Sequence, residues 1–180
     1  MRLNPVVLLL LMILPACQEP DTAPPLSAGL GRENVEAGMG AILGQVRAAT
    51  AKYHDVDAAL ADGFVPFSPC VSEPGEGGMG YHYAKIARVD GQVDPAAPEV
   101  LLYAPDDRGK LELVAVEFFE VVALWETLHD SPPSLGSVPF NGPMVHDGLP
   151  LHYDLHAWVW RENPTGTFAQ FNPNVTCPAA

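Results

Sequence analysis

Val100-Leu101-Leu102-Tyr103-Ala104-Pro105-Asp106-Asp107-Arg108-Gly109-Lys110-Leu111-Glu112-Leu113-Val114-Ala115-Val116-Glu117-Phe118-Phe119-Glu120-Val121-Val122 is the stretch on which the fold turns. Its two runs, residues 100–104 and 111–122, are rich in β-branched and aromatic side chains, which suit a pleated, half-buried surface. Between them lies a Pro-Asp-Asp-Arg-Gly cluster, whose residue types set turn dihedrals, so the stretch reads as a β-hairpin. Alternation along 111–122 puts Glu117 on one face with Leu113, Ala115, Phe119 and Val121. A carboxylate in that company is buried, and a buried charge needs a cation, a metal, a histidine or several donors, or else it keeps its proton.

Outward from the hairpin, residues 79–86 and 155–161 are further strand candidates, rich in Tyr, Trp and Val. Upstream the periodicity changes. Val35, Met39, Ile42, Leu43, Val46 and Tyr53 recur at three- and four-residue intervals from Glu33 onward, the pattern of an amphipathic helix. A shorter helix follows, with Asp55 as N-cap, an apolar face of Val56, Ala59 and Leu60, and Gly63 as its stop. Residues 131–151 carry five prolines and three glycines and read as a long loop, a candidate lid. The Gly75–Gly80 cluster lacks the Gly-Lys-Ser/Thr ending of a phosphate loop and reads as a flexible connection. The expected fold is α+β, two N-terminal helices packed on a curved antiparallel β-sheet or partial barrel.

Residues 1–16 have the parts of an export signal: Arg2, an apolar run over 6–14 too short to span a bilayer, and Ala16 ahead of Cys17. Leu14-Pro15-Ala16-Cys17 resembles the lipobox of bacterial lipoproteins, which implies cleavage before Cys17 and lipidation of its sulfur. Residues 17–30, with Pro20, Pro24 and Pro25, form the expected tether, and residues 31–180 the single globular domain. Gln18 after the lipidated cysteine resembles outer-membrane lipoproteins more than inner-membrane ones. With one cysteine assigned to lipid, Cys70 and Cys177 remain, and in an oxidising compartment the default is a disulfide, against buried thiols or metal thiolates. Without Arg2 the chain has eight basic against 22 acidic residues. Such a surface repels phosphate backbones, which excludes nucleic acid as a partner.

Several phrases, taken as a set, resemble a family of uncharacterised secreted bacterial proteins. They are Ala49-Thr50-Ala51-Lys52-Tyr53 running on to Ala61-Asp62-Gly63-Phe64, Met79-Gly80-Tyr81-His82-Tyr83, Glu99-Val100-Leu101-Leu102-Tyr103, His156-Ala157-Trp158-Val159-Trp160 and Asn172-Pro173-Asn174-Val175-Thr176-Cys177. The likeness covers residues 48–177. It implies one fold unit with His82, Glu117 and His156 at characteristic positions, and it implies no activity.

Those three residues sit on three expected strands, and imidazole with carboxylate suits zinc or another divalent metal. His82 lies between small neighbours, Gly80 and Ala84. His156 shares a face with Asp154, Trp158 and Trp160, and in a curved sheet that face lines a cavity with the two tryptophans as its wall. Asp154 or His152 is the expected fourth group, or the one that orients His156. In an extended chain His152 and His156 are about 13 Å apart, too far to share an ion directly. A serine hydrolase is not supported, since no Gly-x-Ser-x-Gly occurs. Glu117 and Glu120 differ in parity and point to opposite faces, which excludes a carboxylate pair for glycoside hydrolysis.

Three functions remain open: a membrane-anchored lipoprotein binding a small ligand or metal ion, a metal-dependent enzyme of cupin-like chemistry, and a structural envelope lipoprotein without a pocket. The anchor has a direct test. Replacing Cys17 with Ala should move the protein from the membrane fraction to the soluble fraction, and continued membrane retention would refute lipidation at this residue.

Overall fold

Residues 26–146 and 148–178 are described by the computed structural model. Cys17, the expected signal and most of the expected tether lie outside the described residues. The first helix, α1, spans Leu26–Thr50 and so starts directly after Pro25, earlier than Glu33. Residues 26–30 thus belong to the helix and not to the tether. Proline constrains only the helix start, where its missing N–H is no loss. Val46 and Thr50 are buried and Ile42 and Leu43 half-buried, whereas Val35 is 55% exposed, so the C-terminal half of α1 docks.

A short 3-10 turn, Ala51–His54, leads into α2, Val56–Ala61. The Asp55 side chain accepts from the Asp57 N–H, as an N-cap does. At the other end Phe64 N donates to Ala59 O and Gly63 N to Leu60 O, with Gly63 at φ +90°. These two bonds satisfy carbonyls that the helix end leaves open, and glycine takes the left-handed position without a Cβ penalty. Ala59 is buried, but Leu60, expected on the apolar face, is 43% exposed.

The sheet is antiparallel throughout and open. It comprises β1 (Val65–Pro66), β2 (Val71–Glu73), β3 (Gly77–Ala84), β4 (Val100–Pro105), β5 (Leu111–Val121), β8 (Asn141–Met144) and β9 (His152–Ala157). Its order is β1-β3-β4-β5-β9-β8, with β2 also paired to β3. A separate two-stranded piece, β6 (Ser134–Leu135) with β7 (Val138–Pro139), lies against α1. The hairpin β4–β5 forms as expected. Asp106 Oδ1 accepts from the Arg108 and Lys110 N–H groups, both at 2.8 Å, and Gly109 takes φ +78°.

One bulge sets which residues face which way. Leu102 pairs with Ala115 but Tyr103 pairs with Leu113, leaving Val114 without a partner of its own. Leu113 therefore joins the helix-side core with Leu101, Tyr103, Val116 and Phe118. Glu117 keeps Ala115 and Phe119 on the other face, but not Leu113 as the alternation suggested. Tyr103 ties the layers together by donating its hydroxyl to Tyr53 O at 2.6 Å.

Several expectations change. The 131–151 segment is not all loop, because it contains β6, β7 and β8. Its prolines fall where a strand tolerates them, Pro139 at the end of β7 and Pro143 in β8, an edge strand. Residues 122–128 leave the sheet as a third helix, α3 (Val122–Leu128), which buries Val122 and Trp125 one turn apart. The expected strand 155–161 is β9, ending at Ala157, where Trp158 N turns to Thr167 O.

The glycine cluster is strand, not flexible connection. A Cβ on Gly80, at φ +95°, would stand 2.4 Å from Tyr103 O, and one on Gly77 2.2 Å from Asn172 O. These glycines let backbone approach backbone. Cys70 and Cys177 are joined in a disulfide with Cα atoms 5.6 Å apart, across 107 residues of chain. On the loop-entropy model such a closure contributes about 4–5 kcal/mol. Among the described residues no helix is long and apolar enough to cross a membrane.

Glu120 is fully buried on the helix side, opposite Tyr153, and neither carboxylate oxygen has a hydrogen-bond partner. Burial first, and Asp90 second, push its carboxyl up to about 7 from 4.5, opposed to a smaller extent by the nearby Gly91 backbone and His129. Two predictions follow from these positions. Gly109→Ala, with nothing within 4 Å of the new Cβ, should cost only the backbone strain of about 1 kcal/mol, whereas Gly80→Ala should cost at least about 2 kcal/mol, read by urea unfolding. Because the folded protein holds a proton on Glu120 where the unfolded chain has lost it, stability should fall as pH rises from about 4.5 to 7. Glu120→Gln should reduce that fall, measured as unfolding midpoint against pH.

Candidate functional site

The face of the sheet opposite the helices carries two small apolar clusters. Met79, Leu102, Ala104, Val114, Ala115 and Trp158 form one; Ala84, Val100 and Phe119 form the other. Between them stand His82 from β3, Glu117 from β5 and His156 from β9, all buried. Glu117 and His156 are register partners across adjacent strands. His82 is not adjacent to either, because β4 lies between β3 and β5, with Leu102 opposite His82 and Val100 opposite Glu117. The long side chains close that gap. One ligand atom from each residue lies within 4.8 Å of the other two, and His82 Nε2 stands 3.7 Å from Glu117 Oε2.

The protons on these groups follow from their neighbours. Ser68 Oγ donates to Pro69 O at 2.9 Å, since a carbonyl only accepts, and its one hydrogen is then used. It must therefore accept from His82 Nδ1, 2.8 Å away. That leaves the Nε2 lone pair of His82 facing Glu117. Burial lowers His82 to about 4, opposed by the backbone at Gly80, and lowers His156 to about 3, with His82 adding to the effect. Both imidazoles are neutral at pH 7. Burial, and then the carboxylates of Asp154 and Glu99, raise the Glu117 carboxyl well above its usual range. The His82–Glu117 contact is thus not an ion pair in the free protein. Both ring nitrogens of His156 are buried without a hydrogen-bond partner.

Asp154 and His152 line the same cavity but stand outside the set of three. Asp154 accepts from Asn141 Nδ2 at 3.2 Å, and burial raises its carboxyl. His152 is anchored by Nδ1 to Pro150 O at 2.8 Å and stacks on Phe119 with ring centroids 4.6 Å apart. Neither falls within the 4.8 Å that the three share, so the expected fourth group is not part of that cluster. The tryptophan wall is also corrected. Because the strand ends at Ala157, Trp158 is buried beside His156, ring centroids 6.5 Å apart, with its Nε1 donating to Ala169 O. Trp160 turns to the helix side and donates to Thr50 Oγ1 at 3.1 Å. Neither lines the cavity.

That cavity has a volume of about 710 Å³. Its walls include Phe67, Val71, Val89, Phe119, Leu149 and Phe171, and of these only Phe119 had been placed near Glu117 from the sequence. Glu99, with its Oε2 accepting from Phe119 N at 3.0 Å and its carboxyl raised by burial to about 8, also lines it. A glutamate running straight into the apolar Val100–Pro105 strand was the signal for that burial. Ser68 gave no such signal, because its role depends on a contact 14 residues away. Compared with known proteins, the chain matches no protein-family model, no curated protein and no solved structure.

Proposed function

We propose that this chain is a membrane-anchored envelope lipoprotein whose domain holds one divalent transition-metal ion between His82, Glu117 and His156, at the base of a cavity for a small organic ligand. The observation that carries the reading is the convergence of two imidazoles and a carboxyl, all buried, on one point. The Nε2 lone pair of His82, a Glu117 oxygen and a lone pair of His156 all lie within 4.8 Å of one another. Without a cation, both ring nitrogens of His156 are buried with no hydrogen-bond partner, which costs free energy. A metal ion would give one of them a partner and draw on His82 and Glu117 at the same point. Two neutral imidazoles and a carboxylate suit zinc, iron or another borderline ion, and Ser68 behind His82 is the outer hydrogen bond that fixes a ligating ring.

Three protein ligands leave coordination positions open, and the cavity lies over them. That opening favours a second reading, a metal-dependent enzyme of cupin-like chemistry using the same residues. The pocket-free structural reading does not account for the cavity. Anchoring through Cys17 rests on the lipobox alone, and an outer-membrane address on Gln18 alone.

The test compares wild type with Glu117→Gln, both purified without a histidine tag, by elemental analysis, zinc titration and thermal melting in chelator. Wild type should carry close to one metal per chain. Glu117→Gln should lose at least about 100-fold in zinc affinity. Since burial favours the uncharged form of Glu117 in the metal-free protein, the amide should fit its place, and the two chelated proteins should melt within a few degrees of each other. If Glu117 were instead half of a buried ion pair, the substitution should cost about 3–5 kcal/mol with or without metal, and the proposal would be lost.

A further inference from the structure

We infer that the cavity above this site takes a neutral organic ligand with a largely apolar body and a single metal-binding oxygen group, and discriminates against small anions. The inference rests on the metal reading and deepens it. A volume of about 710 Å³ is within the range of drug-sized ligand sites. The walls are mainly aliphatic and aromatic, and the mouth continues that character, with Phe67 45% exposed and Ile86 59% exposed.

Charge argues in the same direction. Among the described residues no lysine or arginine lines the cavity. The two nearest in sequence, Lys85 and Arg88, flank the lining residues Ile86 and Val89 but turn away. Lys85 Nζ stands 3.5 Å from Asp62 and over the Phe64 ring, and Arg88 Nη1 donates to Pro98 O at 2.7 Å with its guanidinium over the same ring. The remaining polar lining includes the carboxyls of Glu73, Glu99 and Asp154, which offer an anion no positive charge, and the uncharged side chains of Ser72 and Gln170. His146 lies at the exposed rim and does not form part of the floor. A phosphate or dicarboxylate would therefore lose its water shell with no lysine or arginine in the lining to compensate beside the metal. A neutral ligand places its oxygen on the metal and its apolar body against Val100, Phe119 and Phe171, where burial is favourable.

The experiment uses zinc-loaded wild-type protein and three probes in calorimetric titration: benzohydroxamic acid, acetohydroxamic acid and oxalate. The two hydroxamic acids present the same metal-binding group, so their difference reads the apolar wall. Benzohydroxamic acid should bind at least tenfold tighter than acetohydroxamic acid, and oxalate should bind no tighter than acetohydroxamic acid. Val89→Lys should narrow the gap between oxalate and benzohydroxamic acid by introducing the missing charge. Equal affinity for the two hydroxamic acids, or preference for oxalate in wild type, would overturn the inference while leaving the metal site intact. Failure of wild type to hold zinc at all would instead overturn the metal reading, and this inference with it.

Discussion

The register between β5 and β9 is the constraint on which the rest depends. Glu117 stands opposite His156 and Phe119 opposite Asp154, while Phe118 and Leu155 face the helices. A slip of one residue in either strand would turn the whole polar set into the helix-side core and the apolar set toward the cavity. What prevents the slip is the weight of the apolar side: Val116, Phe118, Tyr153, Leu155 and Ala157 all have buried places there. The site is polar because its opposite face is so firmly apolar. Its geometry is inherited from core packing.

How much of this could be read in the sequence depended on how local the determining contact was. The β4–β5 hairpin, the Asp55 cap, the Gly63 stop and the Cys70–Cys177 pairing follow from residues near one another or from simple counting. The convergence of His82, Glu117 and His156 was also legible, because each lay on a strand with a definite parity. The bulge at Val114 was not, since nothing in an unbroken apolar run marks which residue will lack a partner. Nor was the end of β9, which depends on Trp158 finding the Thr167 carbonyl, and with it the fates of Trp158 and Trp160. The Gly77–Gly80 run was misread for the same reason. Its glycines serve contacts with Asn172, Val175 and Tyr103, all more than twenty residues away.

The two buried acids Glu117 and Glu120 show how one strand can serve opposite needs. They are three residues apart on β5, both raised by burial, and on different faces. Glu117 has two imidazoles aimed at the same point and a cavity beside it, which turns an unfavourable burial into a ligand set. Glu120 has no such company; its neighbours in charge are Asp90 and His129, and its oxygens are without partners. A shifted acid by itself does not mark a site. The convergence of other groups does.

The disulfide bears on the order in which the molecule can be completed. Cys70 sits between Pro69 and Val71, both cavity residues, and Cys177 follows the segment that carries Gln170 and Phe171, cavity residues as well. One wall, at Gln170 and Phe171, is therefore fastened through the disulfide to the segment at Pro69 and Val71. A nascent chain can form the β4–β5 hairpin long before His156 exists, and it can bring in His156 before residue 177 arrives. Gln170 and Phe171 come after β9 in the chain, so a chain cut between residues 158 and 170 would keep every strand of the sheet and lack that wall.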